Sequence, residues 1–187
     1  MNVKLRTGAT LTLCGVLAML AACAGNKKIE SDLGIKGAPD WVNEGTQAIH
    51  NDDGRLLHGV GMAPPMGDIS LQKATAENRA RTQIARALST YIDATINDYT
   101  ATMGYGDPDT SIERDIVSNT QLSLAGARII GDWKDKRTGN LFAAAELDLK
   151  VLKRSLATAD NLSDSFKEYF ARNADANFDR FVEDRQP

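Results

Sequence analysis

From Leu71 to about Met103 the chain runs without Gly or Pro, and Ala74, Ala80, Ile84, Leu88, Tyr91, Ile92, Ile96, Tyr99 and Met103 recur at intervals of three and four or their sums. That period predicts one long amphipathic helix. Its first half carries Ala76, Ala80, Ala85 and Ala87 on or beside the apolar face, which lets the axis approach a sheet closely; its second half is bulkier. Asp68 or Ser70 stands where an N-cap is needed, and Gly104 with Gly106-Asp107-Pro108 ends the run. Ahead of this helix, Pro39-Asp40-Trp41-Val42 is the first firm apolar feature of the body. Arg55–Met62 (RLLHGVGM) then reads as a strand, bounded by Asn51-Asp52-Asp53-Gly54 and Ala63-Pro64-Pro65-Met66-Gly67. Gly59 and Gly61 mark a close backbone approach within it. After the helix, Thr110 and Ser111 begin a shorter one to about Leu124.

Gly126–Lys136 and Asn140–Asp148 read as two strands of a hairpin around Arg137-Thr138-Gly139. Leu149–Ala159 gives a short helix, and Ser163 caps a last one to about Glu183. The element order β-α-α-β-β-α-α predicts an α+β fold: a small, mainly antiparallel sheet covered by one long helix, with an aromatic amphipathic helix at the C-terminus. Four of the five phenylalanines, Phe166, Phe170, Phe178 and Phe181, lie on that last helix. Such a face needs a partner surface. Two readings stay open, packing on its own domain or docking on another subunit through these four rings.

Composition adds bounds. A chain of 187 residues with 42% hydrophobic side chains suits one globular domain, and a formal net charge of −3 gives no global basic field to attract nucleic acid. Two cysteines build neither a disulfide scaffold nor a four-thiolate zinc site. The totals conceal an uneven start. Met1–Arg6 carries two cations and no acid, and Ala9–Ala22 (ATLTLCGVLAMLAA) carries no charge at all. This is the layout of a signal peptide, and the run is shorter than the roughly 20 apolar residues that span a bilayer.

Leu20-Ala21-Ala22-Cys23 at its end resembles the bacterial lipobox. The resemblance implies cleavage between Ala22 and Cys23, acylation of the Cys23 thiol, and a membrane anchor made of lipid. One acyl chain holds only reversibly, whereas two or more hold firmly. Ala24, where an Asp tends to retain lipoproteins in the inner membrane, implies outer-membrane residence with the domain on the periplasmic face or the cell surface. Loss of residues 1–22 removes Lys4 and Arg6 and no acid, taking the net charge from −3 to −5. Residues 23–38 then form the lipidated N-terminus and a flexible tether, 39–159 the α+β domain, and 160–187 the C-terminal helix.

Several features together resemble the Lpp-twenty type of bacterial outer-membrane lipoproteins, which include surface antigens and flagellum-associated members. They are the lipobox at Cys23, Pro39-Asp40-Trp41-Val42, the Gly59-Val60-Gly61 strand end, and Ala80-Arg81-Thr82-Gln83-Ile84-Ala85 on the long helix. Asp132-Trp133 through Gly139 to Leu147 completes the set, so the likeness covers about residues 20–150. It implies a non-enzymatic lipoprotein with no cofactor, and Cys23 is the only functional position that it transfers. Its implied partners are membrane lipid and envelope or flagellar proteins, while a second copy of the chain is the docking reading of the aromatic helix. The second hairpin strand, Leu141-Phe142-Ala143-Ala144-Ala145, is smaller than the family pattern, and the aromatic C-terminal helix lies beyond the likeness.

His50 and His58 are the only histidines, and an envelope enzyme or small-ligand binder would have to use His58 with acids near the hairpin. Asp107-Pro108-Asp109-Thr110-Ser111 fails as an EF-hand loop, because Ile112 and Ser118 occupy the positions of its Gly and its last Glu. Gly59-x-Gly61 lacks the third glycine of a dinucleotide loop, where Pro64 stands instead. Lys73, Arg79, Arg81 and Arg86 make a basic stretch that would serve the runner-up reading, binding of peptidoglycan or another anionic envelope polymer, although Glu77 is spaced to pair with Arg81.

Overall fold

The computed structural model describes residues 33–49, 54–104, 114–116, 118 and 124–183. Asp32–Pro187 forms one compact unit. Strands β1 (Leu56–Ala63), β2 (Arg128–Lys134) and β3 (Leu141–Asp148) make a three-stranded antiparallel sheet in the order β1-β3-β2. The helices are α1 (Asp40–Asn43), α2 (Ile69–Met103), α3 (Leu149–Ala157) and α4 (Asp164–Glu183). This is the expected α+β architecture. Of the helix expected from Thr110, residues 114–116 are helical and Ile116 is fully buried; its start lies outside the described residues.

The central strand is buried on both faces because each face has its own cover. Leu141, Ala143, Ala145 and Leu147 join Ala76, Ala80, Ile84 and Leu88 of α2 in the main core. Phe142 and Ala144 point the other way and are also buried; Trp133 meets Phe142 with tilted rings at 5.8 Å, and Trp41 of α1 lies over Gly131 of β2. Gly59 and Gly61 bring β1 against the backbone of α2 at Ala80 and Ala76. The glycine pair thus does the structural work its spacing suggested.

Helix α2 begins at Ile69, where Asp68 accepts from the Ser70 and Leu71 amides, and ends at Gly104 in the left-handed region. Its buried stripe starts Gln72, Ala76, Ala80 rather than at Ala74, and Met103 is 43% exposed. The stripe is one register removed at the start because its first inward residue, Gln72, is polar. Gln72 Nε2 donates to the carbonyls of Ala63 (3.1 Å) and Gly139 (2.8 Å), tying helix, strand end and hairpin turn together.

Thirty-five residues of helix span about 52 Å, twice the roughly 27 Å of an eight-residue strand. The second half of α2 therefore overshoots the sheet, and α4 covers it. Tyr91 meets Phe178 and Phe181 edge-on at 5.7 and 5.6 Å, and Tyr99 meets Phe166 at 5.3 Å. Phe166, Phe170, Phe178 and Phe181 are all buried in the main core, so the reading that offers them to another subunit is corrected. Their partner is the bulky half of α2 in the same chain, and α4 belongs to the domain rather than being appended to it.

Candidate functional site

On the face of the sheet away from α2, three polar residues from three strands stand side by side. Register pairs Glu146 of β3 with His58 of β1 and with Arg128 of β2. Arg128 donates from Nε and Nη2 to Glu146 Oε1 at 3.1 and 2.7 Å, and His58 Nε2 lies 3.4 Å from Oε2. The side chains of His58 and Glu146 are 5% and 11% exposed, whereas that of Arg128 is 76% exposed. Burial draws the imidazole below its ordinary pKa, and the neighbouring carboxylate opposes that shift. A buried carboxylate is tolerable only when paired, and the arginine supplies the pairing. His58 has its Nε2 committed to Glu146, and its side chain makes no hydrogen bond to a hydroxyl among the described residues. The cluster is built to be satisfied internally.

A second polar group joins α2 to α4. The Tyr169 hydroxyl donates to Asp98 Oδ2, Asn177 Nδ2 donates to the Tyr169 oxygen at 3.2 Å, and Arg180 Nη2 donates to Asp98 (3.2 Å) and Asn177 (2.6 Å). Burial, then the Asp98 carboxylate, pushes the phenol up to about 12, so Tyr169 stays protonated as a donor. Beside it, a groove of about 370 Å³ is lined by Thr102, Met103, Ser165, Glu168, Tyr169, Arg172 and Asn173. Neither His58 nor Glu146 contributes to it. Arg172 pairs with Glu168 at 3.8 Å, both largely exposed, which leaves the groove without a concentrated charge of either sign.

The basic stretch on α2 is mostly engaged. Arg79 Nη1 donates to the Met62 carbonyl at 2.6 Å, Lys73 bonds Asp132, and Arg81 pairs with Glu77 at 3.5 Å. Among the described residues no group of three or more His, Cys, Asp and Glu side chains is placed to hold a metal ion, and no helix is long and apolar enough to cross a membrane. Ala22, Cys23, His50 and the Asp107–Ser111 stretch lie outside the described residues. Of the acids near the hairpin, Glu146 is the one brought to His58; its partnership with Arg128 escaped the sequence reading. Alternation along the strands does not reveal it, because the register across three strands, with a bulge between Ile129 and Gly131, decides which residues meet. Compared with known proteins, the chain matches no family model and no curated protein.

Proposed function

We propose that the chain is a non-enzymatic outer-membrane lipoprotein of the Lpp-twenty type, cleaved after Ala22 and acylated at Cys23, whose α+β domain serves as an assembly or scaffolding module of the envelope or flagellum. The observation that carries the reading is the start of the chain: Lys4 and Arg6, the uncharged run Ala9–Ala22, and Leu20-Ala21-Ala22-Cys23 in register at its end. The compact unit begins at Asp32.

The polar groups of the domain support assembly over catalysis. His58 and Glu146 are spent on each other and on Arg128, and the cations of α2 are largely spent on Met62, Asp132 and Glu77. Buried polar groups satisfied in this way contribute to a single rigid arrangement rather than to a reactive centre. The test is Cys23→Ser in the native host. The wild type takes up labelled fatty acid and fractionates with the outer membrane, and the variant does neither. A variant that stays with the outer membrane after peripheral proteins are extracted would overturn the anchor. Crosslinking in intact envelopes followed by pull-down then identifies the partner.

A further inference from the structure

One end of the domain combines exposed apolar side chains with exposed cations. The C-terminal end of β1, the N-terminal end of α2 and the turn between β2 and β3 meet there: Ala63 pairs with Leu141, Lys134 pairs with Leu141 from the other side, and Gln72 bonds both Ala63 and Gly139. A Cβ placed on Gly139 would touch the Pro65 ring, so the two loops are in contact. On this tip Met62, Ile69 and Leu71 are 37%, 54% and 57% exposed, and Pro64 and Pro65 are exposed beside them. Side chains in the first turn of a helix lean towards its N-terminus, so Ile69 and Leu71 project beyond the end of α2.

The turn adds a net positive charge, three cations against the one carboxylate of Asp135. Lys134, Lys136 and Arg137 are exposed and form no salt bridge with a described residue. The acid among them, Asp135, is 5% exposed and turned inward, accepting from the Arg137 amide (2.9 Å) and the Thr138 hydroxyl (2.6 Å). Those bonds, Thr138 first, hold its carboxyl below the usual range, so it does not titrate near neutrality.

We propose that this tip, Met62, Ile69 and Leu71 with Lys134, Lys136 and Arg137, is a peripheral contact for an anionic bilayer surface. Apolar side chains that enter the headgroup boundary, ringed by cations that meet lipid phosphates, are the two contributions from which such binding is built. Charge complementarity selects this occupant. The chain as a whole carries −3, so an anionic surface attracts the basic tip and repels the remainder, orienting the domain with the tip inward. The contact needs no covalent lipid, and it stands or falls apart from the anchor at Cys23.

The experiment uses residues 24–187, which contain the whole compact unit and lack the cysteine. Sedimentation with vesicles of phosphatidylethanolamine and phosphatidylglycerol is compared with sedimentation on phosphatidylcholine alone. Expected are binding to the anionic vesicles, loss of that binding in high salt, and weak binding to the zwitterionic ones. The double variant Ile69→Ser/Leu71→Ser should lower the partition about tenfold, since each removes a half-exposed side chain's worth of apolar contact. Lys136→Glu/Arg137→Glu, in an exposed turn with little bearing on folding, should abolish it. Absence of binding by the parent chain, or binding that neither variant reduces, overturns the proposal. So does concentration-dependent self-association that Ile69→Ser/Leu71→Ser removes in the absence of vesicle binding, which would assign the tip to a protein partner.

Discussion

Gly61 on β1 lies so close to Ala76 on α2 that a Cβ built on the glycine would stand under 3.0 Å from the alanine's carbonyl oxygen. Gly59 stands in the same relation to Ala80. Strand and helix touch through backbone, and the alanines at 76 and 80 are fully buried as a result. Gly61→Ala has no flexible neighbour to push aside, because what it meets is main chain. We expect it to cost about 1–3 kcal/mol or more, as overpacking of a closed core does. Gly67→Ala, with open space around it and an ordinary φ, should stay within about 0.5 kcal/mol of the parent. Urea unfolding of the three proteins, followed by circular dichroism, checks the ranking.

The aromatic face of α4 gives the second prediction. Phe166 is fully buried among Tyr99, Tyr169 and Phe170, so Phe166→Ala should destabilise the domain by about 3–5 kcal/mol. Tyr91 is equally buried, and its hydroxyl donates to the Ala174 carbonyl at 2.9 Å. Burial raises its pKa, so it remains a neutral donor throughout the accessible range. Tyr91→Phe keeps the ring contacts and loses the bond, for about 1–3 kcal/mol. Removal of residues 163–187 exposes the second half of α2 and should unfold or aggregate the domain. A well-folded truncated monomer would show that the aromatic helix is dispensable to the core.

Strand, helix and hairpin boundaries were legible to within two residues because local chemistry sets them; the widest miss is β2, observed over Arg128–Lys134 inside the expected Gly126–Lys136. Asp68, Gly104 and Ser163 act as caps at the ends they mark, and Arg137-Thr138-Gly139 is the turn. The partner of the aromatic helix was not legible, because it depends on a length comparison between α2 and the sheet that only tertiary structure makes. The buried His58, Glu146 and Arg128 cluster was hidden for a related reason. Its members are 18 to 88 residues apart in pairs, and register across three strands decides that they meet. Gln72 escaped because an inward-facing polar residue breaks the apolar period that locates a helix face.

Gln72 also supplies the third prediction, which separates its hydrogen bonds from its bulk. Gln72→Leu fills a similar volume and leaves the Ala63 and Gly139 carbonyls without that donor, for an expected loss of about 1–3 kcal/mol. Gln72→Glu should cost more at neutral pH, since it buries a carboxylate against the same two acceptor oxygens. Acidification that protonates the new side chain should narrow the gap between the two variants. Unfolding midpoints at two pH values read both effects.

The buried imidazole makes a signed prediction about acid. His58 is held below its ordinary pKa, chiefly by burial and against the opposing pull of Glu146, so the unfolded chain takes up a proton more readily than the folded one. Where the unfolded state binds more protons, stability rises with pH. The contribution of His58 is therefore intact above the ordinary histidine range near 6.5 and is lost as pH falls through that value towards the folded-state pKa. His58→Gln keeps a neutral side chain beside Glu146 and has nothing to protonate. Its unfolding midpoint should change less between pH 7.5 and 5.5 than the parent's, with His50 common to both proteins. Equal slopes in the two proteins would mean that the imidazole is as easily protonated in the folded domain as outside it. Glu146→Gln should steepen the parent's dependence instead, because it removes the carboxylate that favours the protonated ring and leaves the burial unchanged.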